Sequence, residues 1–362
     1  MTIKVLVLSN YNKTQSLRPE AEIFLGLNKI GLDITIMTPS GSAYAKKFEA
    51  AGIKVIDFLC KKKFDKKEIA FIKKILIDEK IQIIHLFNSK SIINGIRAAK
   101  GLDVKIVLYR GYTGNIHWYD PVAYFKYLHP RVNKIFCNSK GVQNQINKQL
   151  LFDKNRTITI NKGHSVEWYK NITPLKLESI PNDSFTLCCT ANDRPMKGIN
   201  FLIEAINLIP KDFPIHLLIA GGSKDHFENL DMIKNAQNRE KIHVLGFRED
   251  SLRIVASCNV FVSSSIKGES ITKSVIEAMC LGVTPLITDI PGNIELHING
   301  AEQLVVPARN SKALAEGILF LYNHPELCSK WGKEAQKHID QNLNHKDTVL
   351  KTFNMYQELL SV

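Results

Sequence analysis

The sequence has no apolar run long enough to cross a bilayer as a helix. Its longest runs, such as KVLVLSN (4–10) and IHLLIAGG (215–222), are of strand length, against roughly 20 residues for a spanning helix. It also has no apolar leader followed by a cleavage site, which speaks against export. No CxxC pair and no zinc-type Cys/His spacing occurs among the seven cysteines, which are scattered through apolar segments and read as reduced core residues of a cytosolic protein. No GxGxxG follows the first strand of either half, which argues against a nicotinamide dehydrogenase. RNA-binding, helix-turn-helix and zinc-finger patterns are missing too, so nucleic acid is discounted as a partner. There is no low-complexity tract, and 44% hydrophobic with 23% charged residues describes a compact globular chain. At 362 residues it is too long for one ordinary core and suggests two domains.

Acids are scarce in the first half. Residues 1–180 hold 30 Lys+Arg against 14 Asp+Glu, so the remaining 18 and 21 of the chain's 48 and 35 leave the second half slightly acidic. The densest basic stretch, KKKFDKKEIAFIKKILIDEK (61–80), reads as a helix with Phe64, Ile69, Ile72 and Leu76 near one face and lysines around the rest. Such a helix suits an anionic membrane surface or an anionic substrate, and equally a solvated basic face.

What is present is alternation. Short β-branched runs recur at 3–9, 33–38, 53–58, 81–87, 104–110, 134–139 and 157–163, with amphipathic segments between them; EAEIFLGLNKIG reads as a helix ending at Gly31. SVEWYKNITPLKLESIPNDS (165–184) is polar, has two prolines and reads as a linker. Strand-like runs resume at 185–191, 215–221, 241–247, 259–265, 283–289 and 302–308. The pattern predicts two doubly wound α/β units, residues 1–168 and 169–340, with a C-terminal helix at 341–362 that is free to pack back on the first. In such folds ligands sit beyond the carboxyl ends of strands.

Two post-strand segments carry chemistry. TANDRPMKGINFLIEAI (190–206) places Arg194, Lys197 and Gly198 in a strand-to-helix turn, where a helix N-terminus favours a diphosphate; a surface-charge reading also stands. GESITKSVIEAMCLG (268–282) spaces Glu269 and Glu277 so that, with a helix beginning near Thr272, Glu277 falls about one and a half turns in. Both carboxylates can then accept hydrogen bonds from vicinal hydroxyls, the alternative being one helix-end acid and one surface acid. In the first half, YRGYTGNIHWYDP gathers Arg110, Tyr112, His117, Trp118 and Tyr119, a set able to stack on sugar faces or to plug an apolar interface.

Together these residues resemble the retaining GT-B glycosyltransferases of family 4. Glu269-SITKSVI-Glu277-AM looks like the family's E-x7-E signature, followed by VTPLIT, Asp289, Pro291-Gly292, Glu295 and a VVP segment at 305–307. Arg194 and Lys197-Gly198 look like its basic pair, and Val244-Leu245-Gly246-Phe247 like its base-side loop. The resemblance covers about 185–320 and implies two Rossmann-like domains facing across a cleft, a nucleotide-diphosphate sugar donor, UDP- or GDP-linked, held by the second, and a glycan or lipid-linked acceptor held by the first. By carry-over Glu269 holds donor-sugar hydroxyls, Glu277 the ribose, and Arg194 with Lys197 the departing diphosphate. Asn192, Gly198, Gly246, Phe247 and the Ser270, Ile271 and Thr272 backbone complete the donor site. Arg18, Arg110, Tyr112 and Trp118 fall on the acceptor side.

The resemblance implies no metal and no cofactor, and a reaction that retains configuration by front-face substitution. The resemblance fits bacterial surface polysaccharide or glycolipid assembly, in the cytoplasm or on the inner face of the cell membrane. This chain departs from the pattern in four places. Asn192 stands where the family often has arginine, Ser270 and Thr272 replace glycines, NYNKTQSLRPEAE (10–22) replaces a Gly-rich loop with Asn10, Arg18 and Glu20, and Arg110 stands for a frequent histidine. Whether His117 or Arg110 takes that first-domain role stays open, with His164 of NKGHSVEWY as a further candidate. A GT-B sugar-nucleotide 2-epimerase and a non-catalytic nucleotide-sugar binding protein are the alternative functions.

Overall fold

The computed structural model describes residues 2–12, 14–151, 153–228, 230–267 and 270–361. The chain divides into two compact units, residues 1–163 with 343–362, and residues 164–342.

In the first unit, β1 (Lys4–Leu8), α1 (Thr14–Lys29), β2 (Asp33–Thr38), α2 (Ala43–Ala50), β3 (Lys54–Asp57), α3 (Lys66–Asp78), β4 (Ile83–Leu86), α4 (Ser89–Ala98), β5 (Lys105–Arg110), β6 (Lys134–Cys137), α5 (Lys140–Gln149) and β7 (Thr157–Thr159) follow in order. The seven strands form one parallel sheet, β3-β2-β1-β4-β5-β6-β7. Successive side chains on a strand face opposite sides, so β1 divides its residues between two cores. Val5 and Val7 join Phe24, Phe48 and Tyr356 on one face, and Leu6 and Leu8 join Ile72, Ile92 and Ile146 on the other. All are buried, which is why these strands read as apolar runs rather than as alternation.

The last helix, α14 (His345–Ser361), completes the first of these cores. A β-carbon at Gly26 of α1 would meet Val349 at 2.5 Å, so the glycine is what lets the two helices approach. The tyrosine hydroxyl of Tyr356 lies 2.7 Å from Nδ1 of His85, a histidine buried within β4 whose Nε2 has no hydrogen-bond partner.

The second unit repeats the plan with β8 (Phe185–Thr190), α6 (Ile199–Leu208), β9 (Ile215–Ala220), α7 (Lys224–Glu228), α8 (Asp231–Lys234), β10 (Ile242–Gly246), α9 (Ser251–Ala256), β11 (Val260–Ser263), α10 (Lys273–Cys280), β12 (Thr284–Thr288), α11 (Pro291–Ile294), β13 (Val305–Val306), α12 (Ser311–Asn323) and α13 (Pro325–Asn342). Its sheet is parallel with order β10-β9-β8-β11-β12-β13. In each sheet the order reverses once, between β1 and β4 and between β8 and β11, which makes both units Rossmann-like.

At the second reversal two loops are pressed together. Gly198 has φ +65°, and a β-carbon there would lie 2.1 Å from the Ser264 carbonyl oxygen. The Ser264 hydroxyl donates to Lys197 O at 3.0 Å, and Ile266 N donates to Met196 O at 2.9 Å.

Several local expectations change. The basic helix is shorter than its sequence suggests, because Asp65 caps α3 by accepting from Lys67 N and Glu68 N, leaving Phe64 outside it at φ +61°. The helix expected from Glu20 begins earlier, at Thr14, so that residues 14–19 belong to α1 with Pro19 inside it, and Arg18 as well as Glu20 stands on a helix. The strand expected at 302–308 shrinks to Val305–Val306 behind a 3-10 turn at Glu302–Leu304. The 165–184 segment packs on the second unit, with Tyr169 buried and Leu175 N donating to Arg253 O at 2.9 Å.

Burial pushes the pKa of six histidines down: His85 to about 3, and His129, His216, His243, His338 and His345 to lesser extents. The unfolded chain takes up these protons first, near pH 6.5. The stability from these sites is therefore complete above that pH and falls as pH drops below it; for fully buried His85 the loss is about 1.4 kcal/mol per pH unit until its folded pKa is reached, and the partly exposed histidines add less because water screens them. Melting temperatures measured from pH 8 down to pH 4 are expected to decline below about pH 6.5, and His85→Phe is expected to make the decline shallower. Gly198→Ala is expected to lower stability by about 2 kcal/mol or more in denaturant titrations, through a disfavoured φ and the clash with Ser264.

Candidate functional site

Where strand order reverses, the loops leaving two neighbouring strands part in opposite directions and expose backbone polar groups. Between β8 and β11 the floor of this opening is a small cavity lined by Thr190, Lys197, Ser263, Ser264, Ser265 and Ser274 among others. The Thr190 hydroxyl is buried there with no hydrogen-bond partner, an atom of the kind that a ligand or water satisfies. Lys197 brings its positive charge close enough to lower the pKa of the Cys189 thiol, although burial dominates and pushes that thiol up to about 12.

The segment after β11 is fastened from behind. Thr288 Oγ1 donates to Ser265 O at 2.5 Å, Thr272 Oγ1 donates to Asn293 Oδ1 at 2.7 Å, and Asn293 Nδ2 donates to Thr288 Oγ1 at 3.3 Å. Ser270, Thr272 and Asn293 are all buried. Because the Thr272 hydroxyl is turned to Asn293, it makes no cap bond to α10, whose first amides keep their partial positive charge for another acceptor. The helix begins at Lys273, as its sequence predicts, and Glu277 follows in its second turn. The Glu277 carboxylate is mostly buried and paired through Oε1 with Lys273, four residues earlier. Glu269 lies outside the described residues.

Gly221 and Gly222, after β9, take φ +97° and +65° and fit against Ala191 and Asp193; Asp193 Oδ1 accepts from Ser223 N at 3.0 Å, and Gly221 N donates to Gly246 O at 2.7 Å. The loops leaving β8, β9 and β10 are thus one connected rim. Gly246, at φ +67°, turns the chain so that Phe247 stands 77% exposed on that rim. Asn192 Oδ1 accepts from Arg194 N at 3.2 Å, shaping the turn that leads into Pro195–Lys197.

Arg194 and Lys197 do not line the same cavity. Arg194 borders an open cavity of about 600 Å³ toward α7 and α8, with Asn192, Ile199, His226, Phe227 and Met232. The 3-10 turn between the two cations directs them to different sides of the loop, a consequence that residue spacing alone does not reveal.

In the first unit the candidates separate. Arg110 donates from Nε to Tyr112 O at 2.7 Å and from its guanidinium to Gly114 O, and it lies 4.9 Å over the Tyr127 ring, so it folds its own loop. His117 stacks on Tyr119 at 5.1 Å, exposed, and Trp118 is 52% exposed with its amide donating to Gln149 Oε1. Arg18 lies near Tyr44, whose pKa is pushed up to about 12 by burial and Glu22 and lowered by the arginine. His164 is buried among Trp168 and Tyr169.

Sequence reasoning missed two lysines. Lys273 was signalled by its spacing of four from Glu277. Lys162 had no local signal: it pairs with buried Glu20 at 2.7 Å, 142 residues away, while Ser9 Oγ donates to the other Glu20 oxygen at 2.6 Å. Its ammonium lies 3.9 Å from the Tyr109 ring centroid, and the Glu20 and Tyr109 contacts outweigh burial and raise its pKa. Among the described residues no group of three or more His, Cys, Asp or Glu side chains is placed to hold a metal, and no helix is long and apolar enough to cross a membrane.

The arrangement has relatives. A glycosyltransferase of Rickettsia africae has the same fold at TM-score 0.83, 19% identity and 99% coverage of both chains. The HepE protein of Anabaena, solved in complex with UDP, superposes at TM-score 0.77 with 17% identity over 99% of this chain and all of that one. Among curated proteins, an uncharacterised glycosyltransferase of Methanocaldococcus jannaschii is 24% identical over 241 residues, 65% of this chain and 61% of that protein. The N,N'-diacetylbacillosaminyl-diphospho-undecaprenol alpha-1,3-N-acetylgalactosaminyltransferase of Campylobacter jejuni is 25% identical over 233 residues, 60% of this chain and 58% of that one. The match thus spans about three-fifths of the length of each of these two curated relatives. The model for glycosyl transferase 4-like proteins matches residues 4–139 and that for glycosyl transferases group 1 matches 176–338, one in each unit. With both halves matched and a GT-B fold throughout, the chain belongs to the group 1, family 4-like glycosyltransferases.

Proposed function

We propose that the chain is a retaining, metal-independent hexosyltransferase that moves a sugar from a UDP- or GDP-linked donor to a glycan or lipid-linked acceptor, in bacterial surface polysaccharide or glycolipid assembly. The observation that carries this reading is the β8/β11 opening, where Lys197, the unpartnered Thr190 hydroxyl and the uncapped start of α10 meet. A diphosphate supplies the negative charge and acceptor oxygens such a place lacks. Phe247 on the rim offers a face for the base, beside Gly246. Glu277 grips the ribose through the oxygen that Lys273 leaves open, and Lys273 itself adds a second cation near the phosphates.

Glu269 orients the donor sugar. The acceptor hydroxyl attacks C1 from the face that the diphosphate leaves, its proton passes to the departing phosphate oxygen, and the configuration is kept. Lys197 and the α10 amides stabilise the charge that develops on that oxygen, which is the work a metal does in other transferases. Arg194, with Asn192 and Gly198 in the same turn, holds the outer part of the donor, and the Ser270, Ile271 and Thr272 backbone its phosphates. On the acceptor side Arg18, Tyr112 and Trp118 make contact, His117 faces the reacting hydroxyl, and Arg110 shapes the loop that carries them. Support from relatives lies in the UDP bound by the Anabaena protein and the undecaprenol-linked substrate named for the Campylobacter one.

A thermal-shift panel of UDP, GDP, ADP, dTDP and CMP tests the donor half, since binding to the native state raises its melting temperature. One of UDP or GDP is expected to stabilise the protein and Glu277→Ala to abolish the shift. Glu269→Ala is expected to keep the shift and lose transfer. Epimerisation of the donor without nucleotide release would overturn the transferase reading.

A further inference from the structure

We propose that Cys258 and Cys188 form a thiol pair that a small, negatively charged disulfide oxidises reversibly to an internal disulfide. The pair uses none of the residues assigned to donor or acceptor, so it stands or falls independently of the transferase reading.

All seven cysteines are free and buried, and the thiols of Cys188 and Cys258 are hydrogen-bonded to each other. Cys188 lies within β8, whereas Cys258 follows α9, a short helix that rests against β8. The connection from α9 into β11 brings them together. Asn259 N donates to Thr186 O at 2.9 Å, and Asn259 Oδ1 accepts from Thr186 N at 2.8 Å, so the residue beside Cys258 is tied to β8 from both sides. Thr186 and Cys188 leave the strand on one face, and the Cys258 sulfur is in hydrogen-bonding reach of both.

Cys258 also lines a cavity of about 230 Å³ that it shares with Lys176, Asn182, Ser184, Thr186 and Asn259. This cavity lies at the amino ends of β8 and β11, at the opposite end of the strands from the candidate donor opening. The Ser184 hydroxyl is buried there without a hydrogen-bond partner, which marks a place for a polar ligand. Lys176 adds a cation and Asn182 an amide, a lining that suits a peptide-like disulfide bearing carboxylates.

Reactivity selects the same residue. The attacking species in disulfide exchange is a thiolate, and a lowered pKa makes it available. The Cys188 S–H lowers the pKa of the Cys258 thiol, and the Thr186 and Ser257 hydroxyls add to this against the effect of burial. Burial instead raises the thiols of Cys60, Cys137, Cys189, Cys280 and Cys328, and the bond to Cys258 together with burial raises that of Cys188. Cys258 is therefore the nucleophile and Cys188 the residue that resolves the adduct.

The Cys258 thiolate attacks one sulfur of the small disulfide, forming a mixed disulfide and releasing one thiolate, which takes up the proton Cys258 gave. The Cys188 sulfur then attacks the Cys258 sulfur, and its own proton leaves with the second small thiol. Two protein thiols are oxidised, one small disulfide is reduced to two thiols, and no other oxidant takes part. The new bond joins β8 to the connection entering β11, the two strands that flank the reversal of order.

The test is incubation of the full chain with oxidised glutathione at neutral pH, followed by an acid quench, alkylation in denaturant and peptide mass mapping. Two of the seven thiols are expected to be lost, linked as Cys188 to Cys258, and dithiothreitol is expected to restore both. Cys188→Ala is expected to stop at a glutathione adduct on Cys258, and Cys258→Ala to leave every remaining thiol unmodified. Lys176→Gln is expected to slow the reaction about threefold with oxidised glutathione and to leave the rate with uncharged hydroxyethyl disulfide unchanged. Melting curves identify any alanine variant that does not fold, and serine at the same position then takes its place. A native chain that keeps all seven thiols overturns the proposal. So does oxidation that persists in Cys258→Ala, a Cys188→Ala chain that gains no adduct, or a Lys176→Gln chain that reacts with glutathione as fast as the wild type.

Discussion

Everything at the candidate donor site depends on the close approach of two loops at one reversal of strand order. Parallel strands buried on both faces leave little freedom for chemistry except beyond their carboxyl ends, and only where neighbouring connections diverge is there room for a ligand. In the second unit that room lies between β8 and β11, and its shape is set by Gly198 lying against the Ser264 carbonyl. A side chain at that position would push the loops apart and carry Lys197 away from the serines it faces. The Thr288, Asn293 and Thr272 hydrogen bonds hold the other wall from behind, so the start of α10 is positioned by buried bonds rather than by the surface.

Much of this was legible in the sequence, for a physical reason. Doubly wound units repeat a strand and a helix in which buried strands appear as apolar runs, and the two sheets could be read almost strand by strand. The glycine in DRPMKG and the start of the helix at Lys273 were also readable, because close approach and helix N-termini leave local signatures. The directions of Arg194 and Lys197 were not, since a 3-10 turn between them decides which side each faces. Nor was the Glu20–Lys162 pair, which joins residues far apart in the chain and becomes visible only when the sheet assembles. Phe64 was misplaced on a helix because periodicity carries no information about a left-handed residue just ahead of the Asp65 cap.

The two units differ at the loops that carry the candidate residues. In the first, the buried carboxylate of Glu20 is matched by Lys162 and Ser9, and Arg110 is spent on carbonyls of its own loop. Such satisfied networks fix geometry and leave little unmet demand for a ligand. In the second, a buried hydroxyl stands unmatched beside a lysine and an uncapped helix. Net charge therefore points away from the β8/β11 opening: the slightly acidic unit carries it, while the surplus of cations lies in the basic unit. A diphosphate is recognised by a few groups a few ångströms away, where local hydrogen bonds and a helix terminus outweigh the sum of distant charges screened by water.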